Sequence, residues 1–321
     1  MRAIQIKEFG DVEVMKLVEL PDPQPAAGQV LARVKASGVN FAETRMRAGT
    51  YSGQELPFIA GMESAGVVEA IGEGGAEFKP GDRVFGRARG SHAEKVLFDA
   101  NHLMPLPDNL SFEQGAAIPV GWLTAWHALM TVAKVEAGQR VLIEAIGSSV
   151  GSAALQIAKW RGCWVAGVAS RDDKVVRALQ LGANAAYNYK TENVAARVAA
   201  DTAGQGVNVA LMIIGEETAE STLEAMGMEG KVVMCGSAGG RRICFDLRVG
   251  IRNLQLLSMS ISTSPQFLPV TMRDFRAQAL PLFASGVLKP LVDVVLPLEE
   301  VGRAHRMIEE RRHFGKIILT V

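Results

Sequence analysis

Apolar residues in the first 120 positions come in short runs, cut at close spacing by glycine and proline. Segments 3–6, 29–35, 66–71, 82–85 and 92–97 read as strands bounded by turns. Lys79-Pro80-Gly81-Asp82 is a turn signature feeding one of them, because proline presets φ and glycine tolerates the positive φ a tight turn needs. Pro21, Pro23 and Pro25 mark a stiff surface connection. From Gly138 to about Gly236 the pattern changes. Apolar runs at 140–146, 164–169, 207–214 and 231–235 predict strands, and helical apolar spacing at 152–160 and 172–181 predicts helices between them. The second helix carries Asp172 and Asp173 in its first turn, where the helix dipole favours acids. Strands alternating with helices predict parallel βαβ units with right-handed crossovers. The tail predicts a helix at 270–285, a strand at 291–296, a helix at 299–310 and a strand at 316–321. The fold class is therefore α/β. A β-rich domain from 1–120, joined by 265–321 folding back onto it, accompanies a doubly wound parallel-sheet domain at 121–264.

Composition narrows the function classes. The 321 residues are 48% hydrophobic and 21% charged, enough apolar surface for a real core. Lys plus Arg equals Asp plus Glu at 34 each, so no net field draws the chain to nucleic acid or an anionic membrane. Cys163, Cys235 and Cys244 are odd in number and form no CxxC pair, which excludes a disulfide framework and a four-cysteine zinc lobe. Residues 1–7 lack the apolar core of a signal peptide. The most apolar stretch, 141–158, carries Glu144 and three serines and reads as strand, turn and helix. The expectation is a soluble cytoplasmic protein.

The strand at 140–146 runs into Gly147-Ser148-Ser149-Val150-Gly151 and then a helix, the setting of a dinucleotide turn. Small residues let pyrophosphate oxygens reach backbone N–H groups at a helix N-terminus, and Gly151 permits tight helix–strand packing. A full GxGxxG is absent, so an ordinary βα turn is the alternative. NAD-preferring domains place an acid at the tip of the second strand; here the tip reads Val168-Ala169-Ser170-Arg171. Ser170, Arg171 and Lys174 suit a 2′-phosphate, which favours NADPH. The competing readings are a solvated loop capped by Asp172, and Asp172 or Asp173 reaching the ribose. Gly236, just past the run at 231–235, joins the cofactor candidates.

Several ordered motifs carry a resemblance: Gly38-Val39-Asn40-Phe41-Ala42-Glu43, Gly61-Met62-Glu63-Ser64-Ala65-Gly66-Val67-Val68, Lys79-Pro80-Gly81-Asp82-Arg83-Val84, Leu123-Thr124-Ala125-Trp126, Val150-Gly151, Leu181-Gly182-Ala183 and Gly315-Lys316-Ile317-Ile318-Leu319. Over nearly its whole length the chain resembles a zinc-independent member of the medium-chain dehydrogenase/reductase superfamily, in the quinone oxidoreductase and enoyl reductase branch. The resemblance implies a GroES-like catalytic domain, a Rossmann domain with a C-terminal return, and an active site in the cleft between them. It also implies a homodimer formed by edge pairing, for which 254–261 is a candidate edge or else a buried strand. Zinc-dependent relatives use a cysteine near Asn40 and a Gly-His-Glu motif. Here the second reads Gly61-Met62-Glu63, and His92, His102, His127, His305 and His313 show no ligand spacing, so no metal is expected.

Without a Lewis acid the expected acceptors are already electrophilic: quinones, or alkenes conjugated to a carbonyl. Charge developing on the carbonyl oxygen needs donors, and a proton must follow. The resemblance places Asn40 and Tyr51 on the acceptor side, Thr124 beside the nicotinamide, Tyr189 near the 2′-phosphate and Arg311 as a further basic contact. Asn40 has a turn-former as its bland alternative, Tyr51 a surface aromatic, and Thr124 a plain helical threonine. Relatives carry a Tyr-Tyr pair where this chain has Trp126-His127, which makes His127 a candidate acid. Glu144 so near the turn would repel a pyrophosphate unless it points away. The expected function is an NADPH-dependent reductase of quinones or enones. Its rivals are an enoyl reductase devoted to one biosynthetic intermediate, and a cofactor-binding protein with little turnover.

Overall fold

The computed structural model of the protein describes residues 1–73, 77–244, 247–261 and 267–321. Its strands in the first 120 residues are β1 (Arg2–Ile6), β2 (Met15–Glu19), β3 (Gln29–Val39), β4 (Phe58–Ile59), β5 (Glu63–Ile71), β6 (Arg83–Arg87), β7 (Lys95–Asp99) and β8 (Leu103–Pro105). The middle of the chain supplies β9 (Arg140–Ile143), β10 (Trp164–Ala169), β11 (Ala185–Asn188), β12 (Val207–Met212), β13 (Met226–Met234) and β14 (Gln255–Ser258), and the tail supplies β15 (Val292–Pro297) and β16 (Lys316–Thr320). Two compact units result, one from Met1–Val120 with Arg276–Val321 and one from Gly121–Phe275. The expected domain limit at 264 and 265 lies outside the described residues.

In the first unit β3 is the organising strand. One flank pairs with β5; the other is divided, with β7 along residues 29–33 and β16 along 36–39. The sheet order is β15-β16-β3-β5-β6-β8, with β7 beside β3. Alternating burial follows: Val30, Ala32, Val34 and Val68 join Phe98 and Leu103 in one cluster, while Val39, Ile317 and Leu319 join Ile4, Ala304 and Ile308 in another. The strand expected at 92–97 starts later, at Lys95. His92 precedes it, donating its N–H to the Ala60 carbonyl and accepting from Ile4 N–H, each at 2.9 Å.

The second unit holds a six-stranded sheet in the order β11-β10-β9-β12-β13-β14, parallel throughout. Counted within the sheet this is 3-2-1-4-5-6, the doubly wound dinucleotide order. Strands covered on both faces read as unbroken apolar runs, and Val141, Leu142 and Ile143 are fully buried. The strand expected at 140–146 stops at Ile143, because Ala145 takes a positive φ of 46° and turns the chain. The run at 254–261 is strand only over Gln255–Ser258, at the sheet's edge, with Leu256 exposed. Among the described residues no helix is long and apolar enough to cross a membrane.

Candidate functional site

In the second unit the turn after β9 sits where the strand order reverses, between β9 and β12. The helix Ser149–Trp160 begins there, capped by Ser148, whose Oγ accepts from Gly151 N–H at 3.0 Å. The Ser148 oxygen thus caps the helix, a bond that does not use the hydroxyl's own hydrogen. No acceptor among the described residues takes the N–H of Ser149 or Val150, which leaves two first-turn donors for an anion. Gly151 lies against the Ala145 carbonyl and Ile146, so closely that a Cβ there would meet backbone at 2.3 Å.

Glu144 does not face this turn. Its carboxylate is buried and accepts from Ile213, Ile214 and Gly215 N–H at 2.9, 2.7 and 3.4 Å, and from the Thr218 and Thr222 hydroxyls at 2.8 and 2.6 Å. The expected repulsion is replaced by a clamp on the loop after β12. Burial raises the Glu144 carboxyl above its ordinary value, against the pull of those donors. Gly236 lies against the same loop, where a Cβ would meet the Ile213 carbonyl at 2.4 Å.

The second-strand tip is more committed than its sequence suggests. Ser170 is half-buried, and exposed Arg171 donates to Asp173 at 2.8 Å. Arg171, not Asp172, is the N-cap of the helix Asp172–Gln180, and it makes no side-chain cap bond. Asp172 accepts from Asn188 Nδ2 at 2.7 Å, so neither acid is directed at a ribose by default. Lys174 is buried. The Tyr189 hydroxyl donates to Glu217 at 3.1 Å, and Lys190 bonds the same carboxylate. Gly147 is buried, and Thr124 is half-buried on the helix Pro119–Trp126. His127 opens a π-helical segment, His127–Ala133, and its Nδ1 lies 2.7 Å from Thr271 Oγ1. Burial holds its pKa below 6.5, so at neutral pH it carries no spare proton and is poorly suited as an acid.

The first unit builds its site around Asn40, at the junction of β3 and the helix Phe41–Arg47. Asn40 Nδ2 donates to Glu43 Oε1 at 2.9 Å and to Glu63 Oε1 at 2.8 Å, and Oδ1 accepts from Lys316 Nζ at 2.6 Å. Both amide hydrogens expected to serve a substrate oxygen are therefore engaged within the chain. Lys316 also pairs with Glu63, and Glu63 Oε2 accepts from Val120 N–H at 2.6 Å. This ion pair is sealed, with side chains 2% and 0% exposed. Antiparallel pairing of β16 with β3 delivers Lys316, and Gly38 admits it: a Cβ there would meet Glu63 Oε1 and Lys316 Cε at 2.7 Å. Tyr51 is half-buried in the loop after the helix. Burial lowers the guanidinium of nearby Arg87, opposite Glu63 in β6, against the charges of Glu63 and Tyr51. Arg311 ends the helix region Val301–Glu309 with φ of 55° and is half-buried.

The histidines have no ligand spacing along the chain, yet the fold gathers two of them. Glu43, His92 and His305, all buried, each bring one ligand-type atom within 4.8 Å of the others. Glu43 Oε2, His92 Nε2 and His305 Nε2 are buried and have no hydrogen-bond partner among the described residues. Arg47 can only donate, and its Nη1 lies 3.4 Å from His305 Nδ1, which places the His305 hydrogen on Nε2 and a fixed cation beside the ring. Burial pushes His305 down to about 3, against the charge of Glu43. Because the folded-state value lies below the ordinary 6.5, its contribution to stability is present above pH 6.5 and is lost as pH falls toward 3. Urea midpoints measured from pH 7 to 4 are expected to fall less for His305→Asn than for the parent; parallel curves would refute this assignment.

Comparisons with known proteins converge. Residues 26–108 match the alcohol dehydrogenase GroES-like domain and residues 149–284 match the zinc-binding dehydrogenase family. The chain is 34% identical over 327 residues to a quinone oxidoreductase of Rattus norvegicus, covering 100% of this chain and 98% of that protein. The chain belongs to the quinone oxidoreductase branch of the medium-chain dehydrogenase/reductases. Its structure is similar to that of an Escherichia coli quinone oxidoreductase complexed with NADPH, with a TM-score of 0.91, 29% identity and 100% of both chains covered. It is also similar to an NAD-dependent alcohol dehydrogenase, with a TM-score of 0.90, 32% identity and 100% of both chains covered. This quinone oxidoreductase relative is thus an oxidoreductase built on the GroES-like and Rossmann pair.

The family matched over residues 149–284 has zinc in its name, and the residues at positions 40, 62 and 63, outside that match, do not fit a zinc ion. Asn40 has no thiol and its amide is committed, Met62 offers a thioether, and Glu63 is neutralised by Lys316. The cation seated there is an ammonium. Sequence reasoning singled out Asn40 and missed Glu43, His92, Lys316 and Arg87 as its surroundings. Lys316 and Glu63 lay in quoted motifs, but nothing in the spacing announced that they meet.

Proposed function

We propose that this chain is an NADPH-dependent reductase that delivers hydride to quinones or α,β-unsaturated carbonyls without zinc. The observation that carries the reading is the turn at 147–151, which starts a helix with two unclaimed N–H groups at the point where a 3-2-1-4-5-6 sheet reverses order. Gly147, Ser149, Val150 and Gly151 bring backbone to a pyrophosphate, and Ser148 shapes the turn by capping it. Ser170, Arg171, Lys174 and Tyr189 form the 2′-phosphate side; Thr124, Gly236 and Arg311 complete the proposed cofactor contacts. When bound, NADPH supplies the hydride. Tyr51 and Asn40 serve the acceptor side: the Tyr51 hydroxyl hydrogen-bonds the oxygen on which charge develops, and Asn40 is held rigid by Glu43, Glu63 and Lys316. The final proton comes from Tyr51 or water rather than from neutral His127.

A second reading, NADH as the preferred cofactor, has support in two acids at the 2′-phosphate side: Asp173 pairs with Arg171, and Glu217 accepts from Tyr189. Steady-state oxidation of both cofactors with 1,4-benzoquinone and with a simple enone separates the readings. NADPH is expected to give the larger kcat/KM. Lys174→Ala is expected to raise the NADPH KM about tenfold, the loss of one charge-assisted bond, with little change for NADH. Turnover of neither acceptor type with either cofactor would end the proposal. The same reading includes a cytoplasmic homodimer paired through β14, beside which Ile251 and Met228 are strongly exposed. Light scattering after gel filtration checks the dimer.

A further inference from the structure

We propose that Glu43, His92 and His305 form a binding site for one divalent transition-metal ion of the zinc class. The inference does not depend on the reductase reading. It begins from three orphaned atoms. Glu43 Oε2, His92 Nε2 and His305 Nε2 lie on residues only 4%, 0% and 0% exposed, and none of the three has a hydrogen-bond partner among the described residues. One orphaned polar atom in a core is destabilising and uncommon; three converging on one place call for a shared partner. Each of the three residues offers a ligand-type atom within 4.8 Å of the other two. Glu43 Oε2 and His92 Nε2 stand 2.7 Å apart and still make no hydrogen bond to each other, so each is available to a third group.

The neighbours of these residues are arranged as the supporting bonds of metal ligands are. Ser37 Oγ donates its only hydrogen to the Glu63 carbonyl at 2.9 Å, since a carbonyl cannot donate. Its oxygen then accepts from His92 Nδ1, 2.8 Å away, which puts a hydrogen on Nδ1 and leaves Nε2 to offer a lone pair. Glu43 Oε1 accepts from the Asn40 backbone N–H at 3.1 Å and from Nδ2 at 2.9 Å, which fixes the carboxylate and leaves Oε2 open. His305 needs one adjustment. Arg47 faces its Nδ1 at 3.4 Å, so the ring hydrogen passes from Nε2 to Nδ1 as the ion arrives. Arg47 gives up only that long contact and keeps Glu309 at 2.8 Å and the Gly10 carbonyl at 3.2 Å.

Charge favours a cation at this place. Glu43 and Glu63 are buried carboxylates that share Asn40 Nδ2, and Lys316 pairs with Glu63. The charge of Arg47 is matched by Glu309 at 2.8 Å and Asp11 at 3.6 Å. An ion on Oε2 supplies Glu43 with a counter-charge of its own. Two imidazole nitrogens and one carboxylate oxygen are a zinc donor set with a fourth position left for water, and ligands about 2.0–2.2 Å from the ion stand roughly 3–3.5 Å apart. The distances within the trio, from 2.7 Å to at most 4.8 Å, bracket that spacing, so small side-chain rotations seat the ion. It would tie together the helix Phe41–Arg47, the segment before β7 and the helix Val301–Glu309, all in the first unit. The Glu43 carboxylate separates it from Asn40, so its role is structural, outside the hydride step.

The test reads metal binding directly and needs no turnover. Full-length protein is stripped with a chelator, desalted and titrated with zinc against a chromophoric competitor. One zinc per chain is expected, with a Kd tighter than ~1 μM, and its binding is expected to raise Tm by several degrees. His92→Gln, His305→Asn and Glu43→Gln are each expected to bind zinc about a hundredfold or more weakly and to lose the zinc-dependent rise in Tm. Cys244→Ser, which removes the exposed thiol, is expected to bind as the parent does. Cobalt in place of zinc is expected to show visible ligand-field bands without the near-ultraviolet band of a thiolate ligand. No zinc uptake by the parent, a thiolate band with cobalt, loss of the site in Cys244→Ser, or parental affinity in any folded variant of the three ligands overturns the proposal. Should a ligand variant not fold, the remaining variants and the cobalt spectrum of the parent decide it.

Discussion

Lys316→Met is expected to destabilise the protein by about 3–5 kcal/mol, the cost of leaving a buried partner charge uncompensated. The ammonium contacts Glu63 and Asn40 Oδ1 in a pocket from which water is excluded, with Lys316 and Glu63 side chains 2% and 0% exposed. Methionine preserves the length of the side chain, so the loss reports charge and hydrogen bonding rather than a cavity. Removing the negative partner as well, in Glu63→Gln with Lys316→Met, is expected to recover part of the loss, because the pair is coupled. Urea denaturation of Lys316→Met, Glu63→Gln and the double variant measures both effects. A single variant within about 1 kcal/mol of the parent would mean that the pair is open to solvent after all.

Gly151→Ala is expected to abolish NADPH binding, with many molecules failing to fold. The added Cβ would meet the Ala145 carbonyl oxygen at 2.3 Å, Ile146 Cα at 2.8 Å and the Ala145 carbonyl carbon at 2.9 Å. All three are backbone atoms of the turn itself, so the helix could accommodate the methyl only by lifting away from β9 and carrying the Ser149 and Val150 N–H groups with it. Gly250→Ala is the control, since a Cβ there meets nothing within 4 Å. Fluorescence titration with NADPH should show saturation for the control and none for Gly151→Ala. Unimpaired titration of Gly151→Ala would refute the close helix–strand approach.

The architecture was legible where burial is two-sided or where glycine and proline punctuate the chain. The run at 164–169 coincides with β10 because a central parallel strand is apolar on both faces. The run at 140–146 misled at its end for a related reason. Ile146 is as buried as a strand residue and its N–H still bonds the Val168 carbonyl, although the chain has already turned at Ala145. Apolarity reports burial, and burial continues past the last ladder bond. In the candidate site, the dinucleotide turn could be read because strand, small residues and helix are contiguous. The environment of Asn40 could not, because its partners come from β5, β16 and its own helix, and pairing of β3 with β16 brings them together. Glu144 shows the same limit: its proximity to the turn in sequence suggested repulsion, whereas one rotation of its side chain places it beneath the neighbouring loop.

The divided flank of β3 also dictates an order of assembly during synthesis. Residues 29–35 can acquire β5 and β7 while the ribosome is still extending the chain, but the stretch at 36–39 waits for β16, which emerges after the whole second unit. Until then Glu63 and Asn40 lack their ammonium, and the nascent first unit carries an open seam of strand edge and unmatched charge. The whole second unit therefore leaves the ribosome before the first can close that seam.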